Sequence, residues 1–213
     1  DATLVVSEVE LSLLQQERPS ARLHRVSNIH HIASSFGGFE EREDILFIGA
    51  FSHPPNVDAV RWLATEIWPL VRGRLPHIRC HVIGADPPAD IESLAEPSFI
   101  LHGHVPDVAP FFAGCRLSVA PLRYGAGVKG KINQSLAQGV PVVVTSQAAE
   151  GMYLEDQASA LIADGAAPFA RAVTRLYSDA GLWARLSAAG LAVMERHFSF
   201  DAAKRALAEV VGD

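Results

Sequence analysis

From Ile45 onward, short apolar segments alternate regularly with segments of helical periodicity. Continuous apolar runs of this length are typical of strands buried on both faces, as in parallel sheets covered by helices. Right-handed crossovers between such strands give a doubly wound, Rossmann-like α/β fold. The predicted strands are Ile45–Ala50, Ile78–Gly84, Phe99–Leu101, Leu117–Pro121, Pro141–Thr145 and Ser159–Ala163.

The predicted helices follow these strands. The first is one continuous amphipathic helix that ends near Arg74, with Asn56 or Asp58 as its cap. Near the end of the chain, Trp183, Leu186, Leu191 and Phe198 have helical spacing, which favours core packing over a lipid-binding face. The other predicted helices are Pro88–Ala95, Asp107–Gly114, a helix ending near Gln138, Pro168–Asp179, Leu182–His197 and a last one that Asp201 caps and that runs to Val211.

Residues 1–43 have a different character. Ala2–Val6 and Arg22–Val26 are predicted strands, and Glu8–Gln16 is a predicted helix. Residues 27–44 are polar and contain glycine and a run of acids, which is typical of a linker. Because the chain opens with Asp1 directly before a strand, we interpret it as a segment of a longer protein.

Composition excludes several classes of protein. Hydrophobic residues make up 49% of the 213 residues, so a packed core is expected. The formal net charge of −6 argues against general nucleic-acid binding, and no apolar run approaches the ~20 residues that cross a bilayer. Cys80 and Cys115 lie beside apolar segments and are predicted to be buried free thiols. The histidines lack the spacing of a metal site, so no metal is expected.

The loop after the fourth strand carries the strongest chemical signal. Gly125, Gly127 and Gly130 let the backbone approach a ligand closely, and the loop leads into a helix whose first N–H groups are free. Lys129 and Lys131 add positive charge. This combination predicts a phosphate-binding loop.

Gly125–Lys131 also matches the G-x-x-x-x-G-K pattern of nucleoside triphosphatases. The next residue is Ile132, where that motif needs Ser or Thr to hold magnesium. The loop also follows a late strand, so the triphosphatase assignment is rejected.

Other loops at the same edge of the sheet supply further candidates. His53 follows the first strand, Val105 lies in the loop after the third, and Glu150 follows the fifth. Arg123 precedes the glycine loop, where it meets a phosphate or pairs with an acid on the surface. For His53 and Glu150, a plain surface or helix-starting role remains open, and the loop that holds Val105 could equally be a plain turn into a helix.

Five segments together resemble the C-terminal domain of family 4, group 1 glycosyltransferases, which have the two-Rossmann-domain GT-B architecture. The resemblance covers about residues 44–212. The segments are His53–Asp58, Gly103–Asp107, Ala120–Lys131, Ala137–Val143 and Ala149–Gly151.

This resemblance implies a retaining transfer of sugar from a nucleotide-diphosphate donor to a glycan or lipid-linked acceptor, without a metal or other cofactor. Residues 1–43 then resemble the end of an N-terminal domain plus linker, and residues 44–213 bind the donor. The acceptor site and most catalytic residues belong to the N-terminal domain, so the chain alone is expected to be inactive. The resemblance is compatible with a cytoplasmic protein at the inner membrane face.

The donor-binding residues implied are His53, Val105, the Gly125–Val128 backbone including Ala126 and Gly127, Lys129, Lys131, Gln134 and Glu150. Gln134 is expected to meet the ribose, and Val105 to flank the base.

The sequence departs from the family pattern at several positions. Ala50 and Asn56 stand where Arg and Lys commonly hold the diphosphate. Ala126 and Gln134 replace two glutamates, and an amide bonds a hydroxyl without charge assistance. A degenerate, non-catalytic sugar-nucleotide or partner-binding module is therefore an alternative. An epimerase or phosphorylase of the same architecture is also considered, but the segment offers few carboxylates and no evident pyridoxal-binding lysine.

Overall fold

The computed structural model describes residues 2–212. Asp1, the first residue of the predicted segment 1–43, and Asp213, the last residue of the predicted segment 44–213, lie outside the described residues. The chain begins with β1 (Thr3–Val5), α1 (Glu8–Glu17) and β2 (Leu23–Arg25), and the two strands pair in parallel. Ser7 caps α1: its hydroxyl accepts from the backbone N–H of Glu10, and the Glu10 carboxylate accepts from the backbone N–H of Ser7. These two bonds form a capping box. The predicted strand–helix–strand order of this segment is confirmed.

The rest of the chain is built on a six-stranded, all-parallel sheet. Its strands are β3 (Asp44–Ile48), β4 (Cys80–Ile83), β5 (Phe99–Gly103), β6 (Cys115–Ala120), β7 (Val142–Val144) and β8 (Leu161–Ile162). Their order in the sheet is β5-β4-β3-β6-β7-β8, which confirms the doubly wound, Rossmann-like fold. Leu46 and Phe47 are adjacent and both fully buried, so β3 is covered on both faces as its apolar run predicted.

Helices lie between and after these strands. They are α2 (Pro54–Trp62), α3 (Trp68–Arg72), α4 (Ala89–Glu92), α5 (Ala109–Gly114), α6 (Gly130–Ala137), α7 (Ser146–Ala149), α8 (Ala166–Ser178), α9 (Ala180–His197) and α10 (Phe200–Gly212). Trp183, Leu186 and Phe198 are buried in the main core, as predicted, whereas Leu191 is only partly buried. The predicted buried free thiols, Cys80 and Cys115, are confirmed, and burial raises the pKa of both.

Three helix predictions are wrong in detail. The long helix is interrupted by a π-helical turn at Leu63–Ile67, just before Pro69, which lacks the N–H that a continuous helix needs. Neither Asn56 nor Asp58 caps α2, because the N-cap position is His53 and the helix begins at Pro54. The last helix is capped by Ser199, whose hydroxyl accepts from the N–H of Ala202, while Asp201 lies in the first turn.

A buried arginine fixes the linker to the sheet domain. Arg42 is 1% exposed, and its guanidinium donates to the backbone carbonyls of Gly37 (2.9 Å), Gln138 (3.2 Å), Cys115 (3.3 Å) and Phe112. Its own carbonyl accepts from the guanidinium of Arg116. The segment that looked like plain linker therefore ends in a hydrogen-bonded anchor.

Candidate functional site

The two central strands define the crevice. From β3 the chain continues to β4 on one side, whereas from β6 it continues to β7 on the other. The connections therefore diverge beyond the carboxyl ends of β3 and β6, and ligands bind at such a point in open α/β sheets. The loops that follow these two strands supply Gly49 to His53 on one side and Pro121 to Lys129 on the other.

The glycine loop has the backbone that its sequence predicts. Gly125 has a φ of +116° and Gly127 a φ of +80°, both in the region that favours glycine. No neighbouring atom lies within 4 Å of the point where a Cβ on Gly127 would stand, so the loop is open there. The loop leads into the eight-residue helix α6. The N–H of Ile132 donates to the carbonyl of Lys129 at 2.9 Å, and the N–H groups of Gly130 and Lys131, which precede it, are the ones that a helix start offers to a ligand.

Lys129 joins the loop to the segment after β7. It is 6% exposed, and its Nζ lies 3.5 Å from the carbonyl oxygen of Glu150. Its backbone N–H points at the sulfur of Met152, 3.2 Å away. Burial lowers the pKa of its ammonium, and the charge of Glu150 opposes that effect. The lysine is therefore less free than a solvated surface lysine.

Gln147 is a contact that the sequence did not single out. Its side-chain amide donates to the backbone carbonyl of Gly125 at 3.0 Å and to a carboxylate oxygen of Glu150 at 2.9 Å. It thereby brings the glycine loop and Glu150 together. The signal was its place directly after β7, where the structure has the short helix α7, but nothing in the sequence distinguished it from its neighbours.

Lys131 crosses to the other side of the crevice. Its ammonium bonds the side-chain oxygen of Asn56 and lies 4.9 Å from the ring centre of Phe47. The amide nitrogen of Asn56 donates to the carbonyl of Ala50 at 2.7 Å. Burial lowers the pKa of Lys131 to about 8. Desolvation disfavours the ammonium, so Lys131 loses its charge at a lower pH than a solvated lysine and is still mostly charged at neutral pH.

Arg123 pairs with an acid rather than reaching into the crevice. Its guanidinium donates two hydrogen bonds to Asp58, at 2.9 Å and 2.5 Å, and lies over the ring of Trp62. The bond from Arg123 holds the pKa of the Asp58 carboxyl below its usual value. Of the two roles left open for Arg123, the structure shows the ion pair.

Among the described residues, no hydrogen bond joins the glycine loop to the side chains of His53, Val105 or Gln134. His53 is exposed at the start of α2, and Val105 packs partly buried against a small core cluster. Gln134 is exposed on α6 and lines a cavity of about 250 Å³ together with His30, Asp107 and Val108. The loop after β5 and the second turn of α6 thus share one cavity.

A second polar cluster lies beneath the loop after β5. Nδ1 of His81 and Nε2 of His102 are 2.8 Å apart, and Nε2 of His81 is 2.9 Å from a carboxylate oxygen of Asp44. Both histidine rings contact Phe111 edge-on. Burial, together with the neighbouring His81, lowers the pKa of His102. In the described residues no group of three or more His, Cys, Asp or Glu side chains is arranged to hold a metal ion.

Comparison with protein families assigns the chain that carries this crevice. The family model for glycosyl transferases group 1 matches residues 42–179, which is most of the chain. The chain belongs to the group 1 glycosyltransferases. No curated protein matches it in sequence. Within residues 2–212 no helix is long and apolar enough to span a membrane.

Solved structures of the family share the fold. A mutant of S. aureus TarM, in complex with fondaparinux, α-GlcNAc-glycerol and UDP, matches with a TM-score of 0.80 at 13% identity, over 100% of this chain and 44% of that one. The pneumococcal O-GlcNAc transferase GtfA, in complex with UDP and GlcNAc, matches with a TM-score of 0.76 at 14% identity, over 99% of this chain and 45% of that one.

A third structure matches at the scale of a single domain. It is the C-terminal domain of a group 1 family glycosyl transferase (LpcC) from Francisella tularensis, with a TM-score of 0.61 and 13% identity. The match covers 81% of this chain and 97% of that one. The chain spans less than half the length of TarM and GtfA, whereas its match to LpcC covers nearly all of that protein's C-terminal domain.

Proposed function

We propose that this chain is the donor-binding domain of a retaining glycosyltransferase, and that residues 44–213 form the nucleotide-sugar-binding unit. The observation that carries the proposal is the glycine loop, which opens onto the central crevice and leads into α6. Backbone N–H groups at a helix start bind phosphate, and two lysines lie at this one. In this account the Gly125–Val128 backbone and the start of α6 hold the diphosphate, while Lys129 and Lys131 neutralise it.

The nucleoside and the sugar occupy opposite sides of the diphosphate in this proposal. Gln134 bonds the ribose and Val105 flanks the base. Gln134 lines its cavity together with Asp107 and Val108, and these two residues belong to the loop after β5 that also contains Val105. His53 and Glu150 contact the sugar or the distal phosphate. UDP is the first nucleotide to test, since TarM and GtfA were both crystallised with it.

The chemistry follows from where charge develops. When the sugar leaves, negative charge grows on the diphosphate, and donors already aimed at it stabilise the transition state. We propose that the two lysines and the helix start do this without a metal or other cofactor, so chelator leaves transfer unchanged. The acceptor, a glycan or lipid-linked sugar, and the other catalytic groups bind on a partner domain, so this chain alone is inactive. The whole enzyme acts in the cytoplasm, with peripheral membrane association as a further proposal.

Calorimetric titration of the chain with a panel of nucleoside diphosphates tests this proposal. Saturable binding of one nucleotide, at least about tenfold weaker in Lys129→Met, is the expected outcome. Lys204→Met is the matched control, because Lys204 is exposed on α10. The proposal is abandoned if every nucleoside diphosphate fails to bind the folded wild-type chain.

The second candidate is a degenerate module that binds a sugar nucleotide or a protein partner without transferring sugar. Ala126 and Gln134 favour it, because both are exposed at the crevice and neither carries a carboxylate. Donor hydrolysis by the whole protein separates the two candidates. Turnover that disappears with Lys129→Met supports the enzyme, and tight binding without turnover supports the module.

A further inference from the structure

Two side chains from opposite sides of the crevice meet at its centre. Lys131 comes from α6, after β6, and Asn56 comes from α2, after β3. The amide nitrogen of Asn56 is engaged by the carbonyl of Ala50, so its oxygen is left to accept from the ammonium. Because Asn56 is 7% exposed and bonded on both ends, its amide cannot turn without losing a bond.

The backbone beside this pair is shaped to leave room for it. A Cβ on Gly49 would stand 2.8 Å from the Lys131 nitrogen and 2.7 Å from Cγ of Asn56. A Cβ on Gly84 would stand 2.2 Å from the carbonyl oxygen of Gly49. These distances are too short for any side chain, so glycine at position 49 leaves room for the ammonium and Asn56, and glycine at position 84 leaves room for the carbonyl of Gly49.

The sequence lacks cations after β3, where the family pattern has Arg and Lys. Position 50 is alanine and position 56 is asparagine. Yet the Lys131 ammonium, which comes from α6 after the neighbouring strand β6, bonds the side chain at position 56. We propose that Asn56 is a positioning residue that holds the Lys131 ammonium at the centre of the crevice, where it supplies the diphosphate-binding charge that the β3 side lacks. This inference rests on the proposed function.

The arrangement couples donor binding to a proton. The Lys131 ammonium contacts the Asn56 amide and the Phe47 ring, which are both uncharged. Burial alone lowers the pKa of Lys131 to about 8. A bound diphosphate favours the charged form, so binding at pH 8 takes up about half a proton, and affinity falls as pH rises above 8.

The other charged groups around the crevice have partners of their own or are exposed. On α2, Asp58 is paired with Arg123, and His53 is exposed. Glu150, after β7, accepts from Gln147, and the Lys129 ammonium lies against the Glu150 carbonyl. Burial also lowers the pKa of the Lys129 ammonium, so both lysines contribute to the pH dependence above neutrality, and the share that belongs to Lys131 is the one that Lys131→Met removes.

A charge swap tests the proposal directly. We expect Lys131→Met to weaken UDP binding at least about tenfold at pH 6.5. The double variant Asn56→Lys with Lys131→Asn restores a cation at the same place from the β3 side, and it should recover most of that loss. Asn56→Leu removes the acceptor of the ammonium, so it should lower the Lys131 pKa and weaken UDP binding more at pH 8 than at pH 6.5.

A second measurement needs no nucleotide. The pKa of the Lys131 amine, read by NMR on chain labelled at the lysine side chains, should lie near 8 and fall in Asn56→Leu. Circular dichroism and thermal melts establish that each variant is folded, and Lys204→Met is again the control for loss of one positive charge.

The outcomes separate the inference from the function it rests on. If Lys131→Met binds UDP as wild type does, or the folded double variant binds no better than Lys131→Met, the inference is overturned while donor binding stands. An amine pKa that Asn56→Leu leaves unchanged also overturns it. If wild type binds no nucleoside diphosphate at all, the proposed function itself fails and the inference fails with it.

Discussion

The side-chain amide of Gln147 donates to the backbone carbonyl of Gly125 at 3.0 Å, which connects α7, the short helix after β7, to the glycine loop after β6. The same amide nitrogen bonds Glu150 at 2.9 Å. One side chain therefore restrains both the loop proposed for the diphosphate and the acid proposed for the sugar. Binding to a loop that is already restrained costs less conformational entropy than binding to a loop that the ligand must order.

Gln147→Leu removes this connection. We expect nucleotide affinity to fall by roughly fivefold, the equivalent of about 1 kcal/mol for one neutral hydrogen bond. Calorimetry on the two proteins measures the change. Gln16→Leu, an exposed position on α1, should bind as wild type does. Unchanged affinity in Gln147→Leu would mean that the loop holds its shape without the amide.

The backbone of Gly127 gives a second test. Alanine at a φ of +80° costs about 1–2 kcal/mol in strain, even though no atom obstructs a Cβ at that point. Gly127→Ala should therefore lose stability by that amount in urea denaturation, and a methyl group in the open loop should also weaken nucleotide binding. Gly38→Ala, at a φ of −79° with open space around it, should be neutral in both measurements.

Arg42 should dominate the attachment of the linker. Its replacement by Met leaves several carbonyls without a donor, including those of Gln138 and Cys115. We expect a loss of about 3 kcal/mol of unfolding free energy, since each orphaned buried acceptor carries a desolvation penalty. Arg72→Met breaks only an exposed ion pair with Glu96 and should change stability by less than about 1 kcal/mol. Equal effects of the two variants would refute this interpretation of Arg42.

The cluster of Asp44, His81 and His102 predicts acid sensitivity. Because the pKa of His102 is lowered in the fold, its neutral form stabilises the protein above the ordinary histidine value of 6.5, and that contribution is lost as pH falls through and below it.

Asp44 acts in a lower pH range. Burial opposes its ionisation, but hydrogen bonds from His81 and the Arg79 N–H outweigh that effect, so its pKa lies below the usual value of 3.8. Its contribution is present above that value and is lost as pH falls through the lowered pKa.

Thermal melts between pH 7 and pH 5 isolate the histidine step. Wild type should lose stability over this range, and His102→Gln should lose less, with the remaining slope due to His30 and His197, whose pKa values burial also lowers. His104→Gln is the matched control, because His104 is exposed two residues away. If His102→Gln and wild type lose stability in parallel, another group is responsible.

Periodicity was sufficient to predict the sheet, because strands buried on both faces, such as β3, consist of continuous apolar residues. It could not predict the π-helical turn before Pro69, since the apolar stripe continues through it. It also could not show that Arg42, in a polar linker-like segment, donates to four backbone carbonyls, because those contacts join residues up to 96 positions apart.

Some features of the site could likewise be predicted from the sequence, and others could not. Glycines at positive φ and a following helix are local features, so the loop at Gly125 and Gly127 could be predicted from sequence. The contacts of Lys131 with Asn56 and of Gln147 with Gly125 depend on which strands are neighbours. The roles of His53, Val105, Gln134 and Glu150 in donor binding remain predictions.

Amide chemical-shift mapping of the chain during a UDP titration tests the central claim most directly. We predict saturable shifts at Gly125–Lys131 and at Gly49–His53, the two loops beyond the carboxyl ends of β6 and β3, with a smaller set near Val105 and Gln134. Shifts that cluster on another surface, or no shifts at millimolar UDP, would contradict the account of this crevice as the donor site.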